Sequence, residues 1–217
     1  MNKYAIPCNP QNYGGLRGQD VKYIVVHYTA GNGDTAKNNG VYFGREVVAA
    51  SAHWFVDDTE AVLSVPEEFV AWHCGGANYL HPDCRNSNSI GVELCSRMDD
   101  TGLYWFTDDT IANAVELVRD LMEKYDVPIE NVIRHYDVTE KNCPAPFVGA
   151  GKGEWLIFKE ALKVKRYNKV EELPAWAVPT VQKLVDTGIL QGNGEGLDLS
   201  HDMVRMLVIL DRAGMLK

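Results

Sequence analysis

His27 ends the apolar run Val21-Lys-Tyr-Ile-Val-Val-His-Tyr-Thr29, and far along the chain stands His135-Tyr-Asp-Val-Thr-Glu-Lys141-Asn-Cys143-Pro144. Two imidazoles and a thiolate are soft donors that suit a tetrahedral ion. Three protein ligands with a fourth position open describe a hydrolytic zinc site rather than a structural one. Either histidine alone reads more simply as a satisfied core residue. The combination favours ligands, because His135 and Cys143 flank a short Pro-bounded loop that could present both to one ion.

Two further residues fit that chemistry. Lys141 lies two positions before Cys143, where its ammonium could stabilise the oxyanion formed when a carbonyl is attacked. Glu93 sits in the otherwise apolar Ile90-Gly-Val-Glu-Leu94. A buried, unpaired carboxylate is costly, so it meets a cation or has a chemical task. Beside a zinc-bound water a glutamate is a natural general base.

These groups need rigid elements behind them. The β-branched and aromatic run before His27 predicts a buried central strand. Asp34 is expected to cap a helix through Thr35–Phe43, although Gly40 weakens it. Ser51–Asp57 and Ala61–Val65 predict a hairpin turned at Asp57-Asp-Thr-Glu60. Residues 74–88 are polar and irregular, and Ser89–Cys95 is another short strand. A long helix follows, with Thr107 as cap, Asp108 and Asp109 at the positive end of its dipole, and Ile111, Ala114, Val115, Val118, Leu121 and Met122 on one face. Val132–His135 is a strand into the His/Cys loop, and Glu154–Leu162 a last helix. Such alternation predicts an α/β domain, a mixed central β-sheet flanked by helices, over residues 1–163. A basic linker is expected at 164–170, then a small all-helical module at 171–217 with little core of its own.

Composition narrows the partners. Hydrophobic residues make up 46% and charged residues 24%, and the formal net charge is −9. That balance argues against a nucleic-acid binder and against simple attraction to an anionic wall. No apolar stretch approaches the roughly 18–20 residues of a membrane span, and the N-terminus lacks the apolar core of a secretory signal. A chain with this start that works on a wall is expected to leave through a membrane lesion or by another non-signal route. The five cysteines have no C-x-x-C spacing. They read as reduced thiols, with Cys143 spent on the metal and Cys74 and Cys84 the pair that would bridge in an oxidising setting. Gly149-Ala-Gly-Lys-Gly153 lacks the spacing of a phosphate loop, and no His-Glu-x-x-His or Gly-x-Ser-x-Gly motif occurs.

Five ordered motifs now carry a resemblance: Val25-Val-His27-Tyr-Thr, Ser51-Ala-His53-Trp, Ala71-Trp-His73, Asn88-Ser-Ile-Gly-Val-Glu93 and His135-x5-Lys141-Asn-Cys143-Pro144. In this order they resemble the zinc-dependent N-acetylmuramoyl-L-alanine amidases of type 2, whose fold is shared by phage lysins and peptidoglycan recognition proteins. The resemblance covers about residues 1–160. It implies zinc on His27, His135 and Cys143, Glu93 as general base, Lys141 on the oxyanion, and His53 and His73 as cleft residues touching substrate. It implies bacterial peptidoglycan as partner and cleavage between N-acetylmuramic acid and L-alanine by a zinc-bound water. Some relatives carry tyrosine where this chain has Ala52, which shifts acid–base work onto Glu93. Relatives that recycle wall fragments place aspartate where Cys143 stands. A phage or prophage lysin is therefore the leading expectation, a cytoplasmic recycling amidase the first alternative, and a non-cutting recognition module the second. In the tail, Trp176-Ala, Leu184-Val-Asp-Thr-Gly-Ile-Leu-Gln-Gly192 and Asp202-Met-Val-Arg205 resemble one shortened S-layer homology repeat. That implies contact with a secondary wall polymer; homodimer formation or docking on the catalytic domain are the other uses open to it.

Overall fold

Runs of β-branched residues decide where the sheet lies. The computed structural model describes residues 1–163, 166–194 and 196–216, and the chain divides into two units, Met1–Leu162 and Lys163–Lys217. The first begins with β1 (Asn2–Ala5) and β2 (Tyr13–Leu16), short strands that are mostly exposed. β3 (Tyr23–Tyr28) is buried from Tyr23 to His27, as its composition demands. The next helix, α1 (Ala36–Arg45), is capped by Thr35 rather than by Asp34: Thr35 Oγ1 accepts from the Asn38 amide at 3.1 Å. Asp34 accepts instead from the Asn39 side chain at 2.6 Å. Gly40 costs helix propensity but serves packing, since a Cβ there would lie 2.8 Å from Val62 Cγ1.

The expected hairpin forms between β4 (Trp54–Val56) and β5 (Glu60–Leu63), turned by Asp57, whose Oδ1 accepts from the Thr59 and Glu60 amides. β6 (Phe69–Ala71) pairs with β2, and β7 (Ser89–Leu94) returns to the central sheet. β8 (Arg97–Met98) and β9 (Tyr104–Trp105) make a small ribbon. α2 (Asp108–Tyr125) starts at Thr107, whose hydroxyl oxygen accepts from the Thr110 amide at 3.1 Å. β10 (Val132–Arg134), α3 (His135–Thr139) and α4 (Lys152–Leu162) complete the unit.

The six-stranded sheet has the order β1-β5-β4-β7-β3-β10. β4, β7, β3 and β10 run parallel, β5 is antiparallel to β4, and β1 is parallel to β5, so the sheet is mixed. Side chains alternate between the faces of a strand. Ile24, Val26, Ile90, Val92 and Leu94 form one core with Val118 and Leu121 of α2 and Phe158 and Leu162 of α4. Tyr23, Val25 and His27 therefore point to the opposite face, as do Ser89, Gly91 and Glu93.

The second unit holds β11 (Arg166–Tyr167), α5 (Val178–Asp186), β12 (Leu199–Ser200) and α6 (His201–Arg212) around Tyr167, Leu173, Val181, Leu199, Val204 and Val208. Two expectations change. Of the linker expected at 164–170, residues 164 and 165 lie outside the described residues, while Arg166–Tyr167 pairs antiparallel with Leu199–Ser200. The module is thus not all helical, and burial of Tyr167 in its core ties the basic segment into the fold. Among the described residues no helix is long and apolar enough to cross a membrane.

Candidate active site

Three neighbouring parallel strands set the site. β7 carries Glu93 near its C-terminal end, β3 carries His27, and His135 directly follows β10. His27 and Glu93 are register partners. Open α/β sheets gather their functional groups outside the carboxyl ends of such strands. The loop from His135 to Cys143 is tied down at its base: Arg134 pairs with Asp137 at 2.6 Å and donates to the Phe147 carbonyl at 2.7 Å. The Tyr136 amide donates to the Cys143 carbonyl at 2.8 Å, which folds Cys143 back onto His135.

One ligand atom each from His27, His135 and Cys143 lies within 4.8 Å of the others, and all three residues are buried. Cys143 Sγ is 3.6 Å from His27 Nδ1, and the His135 ring meets the His27 ring edge-on with centroids 4.8 Å apart. Both nitrogens of His135 are enclosed without a hydrogen-bond partner. Buried polar atoms are normally satisfied, so this pair marks a place for a cation. Burial first, then His73, His135 and Lys141, push His27 well below the usual histidine range. Burial, with Lys141 next, lowers His135 to about 4. Both imidazoles are therefore neutral, the form that ligates. Burial, aided by Glu93, pushes the Cys143 thiol up to about 12, so it gives up its proton only when a positive charge arrives. Two neutral nitrogens, one sulfur and an adjoining cavity fit zinc.

That cavity, of about 280 Å³, is lined by Glu93, Lys141, Asn39, Trp72 and Asn142 as well as by His27 and Cys143. Glu93 Oε2 is shut from solvent and has no partner. Burial raises its carboxyl to about 8, with Lys141 opposing and Asp34 assisting. Lys141 itself is exposed and so can reach a bound molecule.

The two histidines expected to touch substrate part company. His53 is fully buried and does not line the cavity. Its Nδ1 accepts from the Gly91 amide at 2.9 Å, and its Nε2 donates to the Phe69 carbonyl at 3.2 Å beside the Arg17 guanidinium. Those bonds tie β4, β7 and β6 together and leave nothing for a ligand. His73 does line the cavity, but its Nδ1 lies 3.0 Å from His27 Nε2 and its Nε2 3.2 Å from Ser89 Oγ. Sequence reasoning missed Ser89 and Gly91. Their signal was the alternation of β7, which puts them on the face that bears Glu93.

A family model described as N-acetylmuramoyl-L-alanine amidase matches residues 17–146. The N-acetylmuramoyl-L-alanine amidase BlyA of Bacillus subtilis (strain 168) is 35% identical over 206 residues, covering 88% of this chain and 54% of BlyA. The N-acetylmuramoyl-L-alanine amidase CwlL of Bacillus licheniformis is 40% identical over 156 residues, 67% of this chain and 42% of CwlL. The chain spans about half the length of the curated relatives it matches. Among solved structures, PlyL superposes with a TM-score of 0.60 at 34% identity, over 75% of this chain and 98% of PlyL. The catalytic domain of XlyA gives 0.63 at 28% identity, over 75% of this chain and 100% of that domain.

Proposed function

The chain belongs to the N-acetylmuramoyl-L-alanine amidase family, and from that premise we propose that it is a zinc-dependent peptidoglycan hydrolase. The bond cut is the amide between the lactyl carbonyl of N-acetylmuramic acid and the L-alanine of the stem peptide. One observation carries the reading: the unpartnered His135 ring gathers with His27 and Cys143, and Glu93, with an unpartnered oxygen, lines the same cavity as His27 and Cys143.

His27, His135 and Cys143 would hold the ion, and Cys143 Sγ releases its proton as it does so. A bound zinc ion supplies Lewis acidity there, acidifying a water, polarising a carbonyl and adding positive charge beside Glu93. The Glu93 carboxylate, lining the same cavity, takes the proton of the attacking water and passes it to the leaving nitrogen of L-alanine. Lys141 Nζ, at the rim of the same cavity, donates to the carbonyl oxygen as negative charge grows on it.

Digesting purified peptidoglycan with zinc-loaded protein and identifying the products by mass spectrometry tests this. New N-terminal alanine and free muramoyl lactyl carboxylates are expected, and Cys143→Ser should release neither. Products that keep the muramoyl–alanine bond would overturn the reading. A cysteine at position 143, where recycling relatives carry aspartate, supports intact wall as the substrate, reached through a lysis event in the manner of a lysin. The second unit is proposed to hold the protein on the wall, with half-exposed Trp176 as a contact. A chain ending at residue 163 should then cut soluble fragments normally but sediment less with walls; equal sedimentation removes that role.

A further inference from the structure

We infer that His73 and Ser89 are positioning residues: a one-way hydrogen-bond chain from His27 through both of them to a backbone carbonyl fixes which His27 nitrogen is bare. The affinity of the site for zinc is set by that choice. The inference deepens the zinc reading above and rests on it.

The direction of the chain is decided at its far end. A carbonyl oxygen only accepts, and the Ser89 hydroxyl lies 2.7 Å from the Arg85 carbonyl, so Ser89 commits its one proton there. Ser89 Oγ can then only accept from His73 Nε2, at 3.2 Å. A neutral imidazole carries one ring proton, so with Nε2 protonated His73 Nδ1 is bare. That bare nitrogen faces His27 Nε2 at 3.0 Å, which must donate to it. His27 Nδ1 is thus left with its lone pair free, and it is this atom that stands 3.6 Å from Cys143 Sγ. A ligating histidine is held in one tautomer by the partner of its other nitrogen. In this chain the partner is itself held, two residues deep, by the main chain.

The strand that bears Glu93 is shaped for the relay. Ser89, Gly91 and Glu93 share one face of β7, and the His73 ring lies across Gly91. A Cβ at position 91 would come within 2.5 Å of His73 Cγ, closer than atoms can pack. The His73 backbone is fixed as well, its amide donating to Asn86 Oδ1 at 3.1 Å. His27, His73 and Ser89 are all buried, so the three links of the chain lie within the fold rather than on its surface. His135 is the contrast: neither of its nitrogens meets a side chain that would hold one tautomer.

Zinc dissociation constants, read by competition with a chromophoric chelator, test the relay without reference to turnover. His73→Leu is expected to weaken zinc binding about 10–100-fold. His73→Asn, whose Oδ1 can replace Nδ1 as the acceptor, should recover most of that loss, which a merely space-filling role would not produce. Ser89→Ala should weaken binding by a smaller factor. Nitrogen-15 shifts of the wild-type imidazoles add a readout that needs no variant: His73 must carry its proton on Nε2. Should His73→Leu fail to fold, Ser89→Ala and the wild-type spectrum decide. Wild-type affinity in both substituted proteins, or a His73 proton on Nδ1, overturns the relay. The zinc reading itself fails separately, if wild-type protein takes up no zinc or His27→Ala takes it up as tightly.

Discussion

Two glutamates of the first unit live in opposite worlds. Glu67 is almost fully buried and accepts from Trp54 Nε1 at 2.7 Å, Lys124 Nζ at 2.6 Å and the Tyr125 hydroxyl at 2.5 Å. Glu93 has an enclosed oxygen with no donor at all. Glu67 joins β4 to the end of α2, and both of its oxygens are partnered. Glu93 carries an unmet demand that folding alone does not explain. Within one unit, then, the polar group left unsatisfied is the candidate for chemistry and the saturated one serves architecture.

The contrast can be broken most directly by exchanging what each carboxylate lacks. Glu93→Gln should lower turnover about 10²–10⁴-fold, the range of a lost general base, while zinc content stays at the wild-type level. Glu67→Ala should do the reverse. It strands Trp54 Nε1 and the Tyr125 hydroxyl, for a loss of about 2 kcal/mol in stability, and leaves turnover near wild type below its melting range. Denaturant titration and turnover measured on the same two proteins check both. An inactive but fully stable Glu67→Ala protein, or an active Glu93→Gln protein, would dissolve the distinction.

The same contrast separates what the sequence discloses from what it hides. His27, Glu93 and His135 were legible because each stands at the end of an apolar run, and the sheet order brings those ends together. Cys143 was legible because a proline-bounded polar loop has no packing reason to hold a thiol, and Lys141, singled out by its place two residues before it, lines the same cavity. Glu67 gave no such signal, since its donors come from 54, 124 and 125 and meet it only through tertiary folding. His53 and His73 show the limit most clearly. Both sit in similar aromatic contexts, yet one is consumed by backbone groups of two strands and the other turns to His27, a difference decided by ring orientation. β1 and β11 were missed because neither is long enough to show a period, and β1 also has little burial. Thr35 displaced Asp34 as a helix cap by a single residue, the usual uncertainty of a helix boundary.

A gentler test sharpens the comparison through stability alone. In chelator-treated protein the Glu93 carboxyl, faced by Lys141 and Asp34, titrates at about 8, far above its ordinary value of 4.5. Between those two values the unfolded chain has given up this proton and the folded chain still holds it, so folding is favoured less as pH rises. Stability from this group is complete below about pH 4.5 and is lost as pH climbs through about 8. Glutamine has no proton to lose. The melting temperature of Glu93→Gln relative to wild type should therefore increase steadily from pH 5 to pH 8, by the effect of about 3–4 kcal/mol, and level off beyond. A difference that stays flat across that interval would mean Glu93 is solvated or paired in solution, and the two glutamates would no longer be opposites.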